Sequence, residues 1–122
     1  FRYKPLDTTK QSIRLAEITP DDSNDLIICH LSDCDLARKP SYTALSYTWD
    51  RGNEQRDLLC DGKVMPIGSN LCNFLHRFRD RQETCAERLW IDAICINQDD
   101  VGERNHQVAQ IRSIYTVANR VI

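Results

Sequence analysis

The sequence predicts an α/β domain in which helices flank a parallel β-sheet, with an N-terminal antiparallel strand pair and a β-hairpin added to it. Three observations predict this class. Residues 89–96 form a continuous apolar run rich in β-branched side chains, as expected for a strand covered on both faces. Stretches with helical spacing of apolar residues lie on either side of that run. Another β-branched run begins at Arg120, and such alternation of strands and helices is typical of a parallel sheet.

The first half of the chain supplies short strands. Residues 12–31 alternate in the manner of two short strands, the first marked by Ile13, Leu15 and Ile18 and the second by the apolar run 26–29. A turn-rich segment separates them, so we expect an antiparallel pair. We place this pair at an edge of the sheet or across one of its faces. A third strand is expected over residues 43–49. Residues 57–65 hold an Asp-Gly pair between two apolar arms, the strongest local signal for a β-hairpin.

Two helices are expected after the hairpin. The first begins at Ser69 or Asn70 and ends in the charged stretch 79–87, and its apolar stripe consists of Leu71, Phe74, Leu75 and Phe78. The second runs from about residue 103 to residue 118, after an aspartate (Asp99 or Asp100) that can cap it. Its predicted buried face consists of Val108, Ile111, Tyr115 and Ala118.

The composition excludes several classes of function. A chain of 122 residues with 41% hydrophobic and 28% charged residues suits one globular domain. The formal net charge is −2 with both signs interspersed, so we expect no nucleic-acid partner. The sequence has neither an apolar run of membrane-spanning length nor a signal-peptide pattern. We therefore expect no membrane partner and a cytoplasmic location.

Six cysteines are present, and none forms a Cys-x-x-Cys pair. Cysteines within or beside apolar runs behave as small hydrophobic residues when reduced, and these are Cys60, Cys72, Cys85 and Cys95. His30 with Cys29 and Cys34 could contribute to a zinc site, but the spacing fits no common structural site. A secreted disulfide framework is not expected in a core-forming chain of this size. We predict reduced thiols and no bound cofactor.

Three segments resemble the fungal heterokaryon incompatibility (HET) domain. They are Tyr-Thr-Ala-Leu-Ser-Tyr-Thr-Trp at residues 42–49, Leu-Trp-Ile-Asp-Ala-Ile-Cys-Ile-Asn-Gln at residues 89–98, and the helix of residues 103–118. The opening Tyr-Lys-Pro-Leu at residues 3–6, with Ile-Arg-Leu at residues 13–15, also resembles the segment that usually leads into this domain, so the resemblance covers nearly the whole chain. We therefore assign residues 1–122 to a single HET domain, in which residues 1–41 form an N-terminal β extension.

The resemblance implies a protein of filamentous fungi that recognises non-self after cell fusion and triggers regulated cell death. HET domains are considered relatives of Toll/interleukin receptor (TIR) domains, so it also implies a TIR-like or flavodoxin-like fold. Some TIR domains cleave NAD. Two alternatives stay open, namely an enzyme with NAD as its substrate and a non-catalytic death-signalling module that self-associates. A homo-oligomer or a separate incompatibility protein is the implied partner.

The sequence departs from the family pattern in two places. Asp50 stands where family members usually have a glycine, so we expect a differently shaped loop there. The family pattern also continues past Ile122 into further helices, one of which carries a glutamate that resembles the catalytic carboxylate of TIR enzymes. We therefore expect that this chain is the front portion of the domain, truncated before the last helices, and that it is inactive by itself.

Asp92 is the main candidate for a catalytic residue. A carboxylate in an apolar strand is costly unless it is paired or faces a cleft, and open α/β sheets bind ligands at the carboxyl ends of their strands. Cleavage of the bond to nicotinamide passes through an oxocarbenium-like state, which a carboxylate stabilises. The alternative is a structural Asp92 that pairs with Arg88 or Arg104 or accepts from nearby backbone amides.

Candidate ligand-binding residues follow two neighbouring predicted strands. Ser46, Tyr47 and Trp49 end the first strand, and the aromatic rings could stack on a nicotinamide or adenine ring or, alternatively, cover the hairpin. Asn97 and Gln98 follow the second strand and offer amide groups, although asparagine also occupies turns for backbone reasons. We expect all of them at the same edge as Asp92.

The first turn of the second helix holds two further candidates. Glu103 is a second candidate for a catalytic residue, and the alternative is that it only stabilises the helix dipole. Arg104 could bind a phosphate or clamp Asp92. A Ser-His-Asp triad and a glycine-rich phosphate loop are not supported by the sequence.

Overall fold

The computed structural model describes residues 2–19, 26–45, 55–81 and 87–122. Its strands are β1 (Ser12–Ile18), β2 (Ile28–Asp35), β3 (Thr43–Ala44), β4 (Gln55–Cys60), β5 (Lys63–Gly68), β6 (Arg88–Trp90) and β7 (Arg120–Val121). Its α-helices are α1 (Ser69–Arg81), α2 (Asp92–Cys95) and α3 (Val101–Val117), and a 3₁₀ turn covers Leu36–Arg38. The predicted α/β class is confirmed.

The seven strands form one mixed sheet in the order β5-β4-β2-β1-β6-β3-β7. The block β6-β3-β7 is parallel, as the alternation of strands and helices predicts, and β2 also runs parallel to β4. The other pairs are antiparallel, namely β1 with β2, β1 with β6 and β4 with β5. A fully parallel sheet is therefore too simple a description of this fold.

The expected place of the N-terminal strand pair is wrong. β1 and β2 pair antiparallel as predicted, but they lie in the middle of the sheet, between β4 and β6. Ile13, Leu15 and Ala16 of β1 are all fully buried, although neighbouring residues of a strand point to opposite faces. A strand that is apolar on both faces is stabilised at the centre of a covered sheet rather than at its edge.

The hairpin of β4 and β5 is confirmed. Asp61 and Gly62 form its two-residue turn with φ angles of 50° and 80°, the positive values that a type I′ turn requires. Pro66 lies opposite Asp57 in the outer strand β5. Counting from the turn, position 66 has its backbone nitrogen directed away from β4, so a proline there removes no bond of the ladder.

Two apolar cores cover the two faces of the sheet. Leu89 and Trp90 are neighbours in β6 and belong to different cores, as the alternation of side chains along a strand requires. The α1-side core includes Ile18, Ile27, Leu45, Leu58, Ile67, Leu71, Leu75, Leu89, Ile91 and Ile94. The α3-side core includes Ile13, Leu15, Leu36, Tyr42, Trp90, Cys95, Ile96 and Ile114.

Helix α1 confirms the prediction, since it begins at Ser69 and ends at Arg81 within the charged stretch. Its stripe packs as expected, with Leu71 and Leu75 buried and Phe74 and Phe78 packed partly buried against the same core. The rings of Phe74 and Phe78 stack with centroids 6.3 Å apart. The helical spacing of apolar residues was a sufficient signal here, because the helix buries one apolar stripe on the sheet.

The predicted strand over residues 89–96 is wrong after Trp90. Residues 92–95 instead form the single helical turn α2, in which the carbonyl oxygen of Ile91 accepts from the amides of Ile94 (3.0 Å) and Cys95 (2.7 Å). Residues 91 and 94–96 are all buried. An apolar run that is buried on every side has no period, so the sequence pattern cannot separate a strand from a short buried helix.

The predicted buried face of α3 is confirmed only in part, since Tyr115 and Ala118 pack against the α3-side core whereas Val108 is exposed. The helix starts at Val101, directly after Asp100. Asp100 caps it as expected, because its Oδ1 accepts from the amide of Glu103 at 3.1 Å. Val108 is 56% exposed, and the other predicted members (Ile111, Tyr115 and Ala118) are only half-buried. The fully buried positions are Glu103, Gln107 and Ile114. Two of these three are polar, and each is buried because β1 supplies a hydrogen-bond partner.

The cysteine thiols of the described residues are free. Cys29, Cys60, Cys72 and Cys95 are buried, and Cys34 is half-buried, while Cys85 lies outside the described residues. Burial raises the pKa of the Cys95 thiol to about 12, which disfavours a reactive thiolate. No group of three potential metal ligands occurs in the described ranges. Within the same ranges no helix has both the length and the apolar character needed to cross a membrane.

Candidate functional site

The site is built where two parallel strands end side by side. β3 and β6 pair in register, Thr43 with Leu89 and Ala44 with Trp90, and the amide of Leu45 donates to the carbonyl of Trp90 at 2.9 Å. The chain therefore leaves both strands at the same edge of the sheet, just before residue 46 and just before residue 92. Ser46, Tyr47, Trp49 and the Asp50 loop lie outside the described residues, so their approach to Asp92 stays a prediction.

Asp92 opens α2 at this edge and is half-buried. Its Oδ1 is shielded from solvent and has no hydrogen-bond partner in the part of the chain that the structure describes. Neither Arg88 nor Arg104 forms an ion pair with it among the described residues. A buried acceptor without a partner costs about 1–3 kcal/mol. A ligand or another segment of the chain could supply the hydrogen-bond donor that this oxygen lacks.

Asn97 and Gln98 follow α2. Each forms a hydrogen bond within this segment, and each also lines a cavity. Asn97 Oδ1 accepts from the amide of Asp99 at 3.2 Å, and Gln98 Nε2 donates to the carbonyl of Asp92 at 3.2 Å. Both residues line a cavity of about 230 Å³, whose opposite wall is Val64, Met65 and Pro66 of β5. The sequence placed these amides correctly near Asp92, and their ligand-binding role stays a prediction.

Glu103 lies in a buried ion pair with Arg14 of β1. Its Oε1 accepts from Arg14 Nη2 at 2.6 Å and its Oε2 from Arg14 Nη1 at 2.8 Å, with only 4% and 2% of the two side chains exposed. Glu103 Oε2 also accepts from the amide of Asn97 at 2.6 Å. The carboxylate therefore ties α3 to the central strand and to the loop that follows Asp92. This geometry supports a positioning role for Glu103.

Arg14 extends this ion pair into a network around α2. Its Nη1 donates to the carbonyl of Cys95 at 3.1 Å and its Nη2 to the carbonyl of Lys4 at 2.7 Å. Its guanidinium lies 4.7 Å from the centroid of the Tyr3 ring, a cation–π contact. Tyr3 in turn donates its hydroxyl to the carbonyl of Ile94 at 2.7 Å, and burial raises the pKa of that hydroxyl. Arg14 and Tyr3 thus each donate a hydrogen bond to a backbone carbonyl of α2, the helical turn that precedes Asn97.

Sequence reasoning missed Arg14, although a signal was present. Arg14 is a lone charge inside the apolar run Ile-Arg-Leu-Ala of residues 13–16. The argument that singled out Asp92 applies equally to it, because a charge in a strand buried on both faces needs a partner. The sequence alone does not show that this partner is Glu103, which is 89 residues away along the chain.

Arg104 lies outside this network. It is exposed on α3, its amide donates to the carbonyl of Asp100 at 2.9 Å, and its side chain forms no ion pair among the described residues. Consecutive residues of a helix point about 100° apart, so Glu103 and Arg104 face the interior and the solvent respectively. The proposed clamp of Arg104 on Asp92 is absent from the described contacts.

Comparison with known proteins agrees with this sequence pattern. A family model described as heterokaryon incompatibility protein (HET) matches residues 42–122, from the start of β3 to the end of β7. The chain is also 33% identical over 122 residues to heterokaryon incompatibility protein 6, OR allele, of Neurospora crassa. That alignment covers 90% of this chain but only 18% of the relative, so the chain spans about a fifth of that protein's length. No solved structure matches the chain, and the TIR-like or flavodoxin-like assignment stays a prediction. The family match covers most of the chain, which therefore belongs to the heterokaryon incompatibility (HET) family.

Proposed function

We propose that this chain acts in fungal heterokaryon incompatibility, in the recognition of non-self after cell fusion and the death response that follows. The family match supports this role, and so does the name of the Neurospora crassa relative. The matched region contains the strand ends, α2 and α3, which are the elements that build the candidate site.

We propose further that the complete domain cleaves NAD and that Asp92 faces the substrate. The supporting observation is the buried Oδ1 of Asp92, which has no partner in the described ranges. The other candidate carboxylate, Glu103, is already neutralised by Arg14. Asp92 would stabilise the positive charge that develops on the ribose as the bond to nicotinamide breaks and its electron pair leaves with nicotinamide. Water then adds to the ribose and releases a proton.

The test is NAD consumption by the full-length polypeptide that contains this chain. Asp92→Asn keeps the size of the side chain and removes its charge, so we expect a loss of turnover of roughly a hundredfold. Asp57→Asn is the matched control, since Asp57 is an exposed aspartate on β4 that does not line the cavity beside Asn97 and Gln98. Equal turnover in parent and Asp92→Asn would contradict the assignment of Asp92, and absence of turnover in the parent would contradict NAD cleavage itself.

A second candidate function is a non-catalytic module that signals by self-association. One observation favours it: Val101 and Val108 on the outer side of α3 are 60% and 56% exposed. Exposed apolar side chains on one helix face are typical of association surfaces. Sedimentation equilibrium of the parent and of Val108→Asp tests this candidate. A concentration-dependent oligomer that the variant abolishes would support it, and a monomer at all concentrations would contradict it.

A further inference from the structure

A second cavity, of about 430 Å³, lies between the N-terminal segment, β2 and the tip of the β4–β5 hairpin. Its volume is in the range typical of small-molecule sites. Asp92, Asn97 and Gln98 do not line it, whereas Tyr3 lines both this cavity and the one beside Asn97 and Gln98. Both cationic and anionic side chains line it, and the proposed function gives these charged groups no role.

Three cationic side chains that form no ion pair with a described residue border this cavity. Arg2, Lys4 and Lys63 all line it and are exposed, and none of them forms an ion pair within the described residues. They come from two separate parts of the chain, the N-terminal segment and the first residue of β5. Cations that converge on one cavity and are not neutralised by the protein favour an anionic group, and phosphate suits both ammonium and guanidinium donors.

Two carboxylates border the same cavity. Asp61 is oriented by the protein, since its Oδ1 lies 3.3 Å from His30 Nδ1 and accepts from the amide of Leu31 at 3.4 Å. Asp33 is exposed and lies on β2 at the position paired with Arg14. Their negative charges disfavour a chain of many phosphates, whereas carboxylates readily accept hydrogen bonds from the hydroxyl groups of a sugar.

Hydrogen bonds fix two of the groups that line the cavity. Arg14 and Tyr3 line it, and the guanidinium of Arg14 is held over the Tyr3 ring by its bonds to Glu103 and to two backbone carbonyls. Because these groups are already fixed, a ligand would not have to order them on binding.

We propose that this cavity binds a phosphorylated sugar. Arg2, Lys4 and Lys63 hold the phosphate, while Asp33 and Asp61 accept hydrogen bonds from the sugar hydroxyls. The proposal accounts for both signs of charge in the lining, which neither a bare anion nor a neutral sugar would do. It holds whether or not Asp92 takes part in NAD cleavage, because Asp92 does not line this cavity.

The experiment is isothermal titration of the 122-residue chain with ribose 5-phosphate, ribose and inorganic phosphate at low ionic strength. Ribose 5-phosphate should bind more tightly than either of the other two. Lys63→Glu should weaken its binding by roughly tenfold or more, since charged hydrogen bonds are among the strongest polar contacts. Lys10→Glu is the matched control, because it makes the same charge change at an exposed lysine that borders a different cavity.

Asp33→Ala distinguishes the contribution of the sugar to binding from that of the phosphate. It should weaken the binding of ribose 5-phosphate and leave the binding of inorganic phosphate equal or tighter. Circular dichroism of each variant verifies the fold, which these exposed positions should not disturb. The proposal is overturned if the parent chain binds no ribose 5-phosphate at millimolar concentration, if inorganic phosphate binds equally well, or if Lys10→Glu weakens binding as much as Lys63→Glu does.

Discussion

Removing one partner of the buried ion pair between Arg14 and Glu103 should strongly destabilise this fold, because it leaves a buried charge unpaired. Glu103→Ala would leave a guanidinium that is 2% exposed without its carboxylate, and it would also remove the acceptor of the Asn97 amide. Breaking a buried ion pair by removing one partner costs about 3–5 kcal/mol. Domains of this size are stable by only about 5–15 kcal/mol, so the variant should be close to unfolding.

Urea denaturation and thermal melting measure this effect. A loss of that size should lower the melting temperature by roughly 10–20 °C in a chain of this length. Arg104→Ala is the control, because the next residue of the same helix is exposed and should change stability by less than about 0.5 kcal/mol. Replacing both partners together, Arg14→Met with Glu103→Leu, should cost less than Glu103→Ala, because no buried charge is left unpaired.

The result that would refute this reasoning is a small effect. If Glu103→Ala lowers the free energy of unfolding by less than about 1 kcal/mol, the effect is comparable to that of an exposed ion pair. The Arg14 guanidinium would then bind water or another acceptor, and the ion pair would not be needed to hold α3 to β1. A double variant that is less stable than Glu103→Ala would likewise contradict the assignment of the cost to the unpaired charge.

Three further predictions follow from the hairpin, from a buried tyrosine and from the proposed function. Gly62→Ala should destabilise the chain by about 1 kcal/mol in urea titrations, because φ is 80° at this position. Burial raises the pKa of Tyr42 from 10.0 to about 12. The neutral tyrosine is thus favoured in the folded state, so its contribution to stability is complete below pH 10 and should be lost as pH rises from 10 to about 12. Tyr42→Phe also lacks the hydrogen bond to the Ile114 carbonyl, and its stability should fall less steeply over the same pH range. In a nicotinamide-release assay of the full-length polypeptide, Asp92→Asn should release nicotinamide roughly a hundredfold more slowly than the parent, and equal release would contradict the proposal.

Local signals identified the elements whose structure is decided by neighbouring residues. The turn at Asp61 and Gly62, the stripe of α1 and the cap at Asp100 were all found, because turn conformation, helical period and capping depend on a few adjacent side chains. The parallel pairing of β3 with β6 and β7 was found from the order of elements, which limits the connections a sheet can have.

The buried face of α3 could not be predicted in this way. Val108 fits an apolar stripe and is exposed, whereas Glu103 and Gln107 are polar and buried. Their burial is favourable only because Arg14 and the carbonyl of Ser12 lie opposite them, the latter 2.7 Å from Gln107 Nε2. A periodicity argument counts hydrophobic residues and contains no information about distant hydrogen-bond partners.

By itself the sequence determined the α/β class and the family, since these depend on local patterns and on short motifs. Only the tertiary structure decided that β1 lies at the centre of the sheet, that Arg14 neutralises Glu103, and that Asp92 is left without a partner among the described residues. The physical reason is that the cost of burying a charge depends on what meets it in space, and residues 14 and 103 meet only when the sheet is assembled.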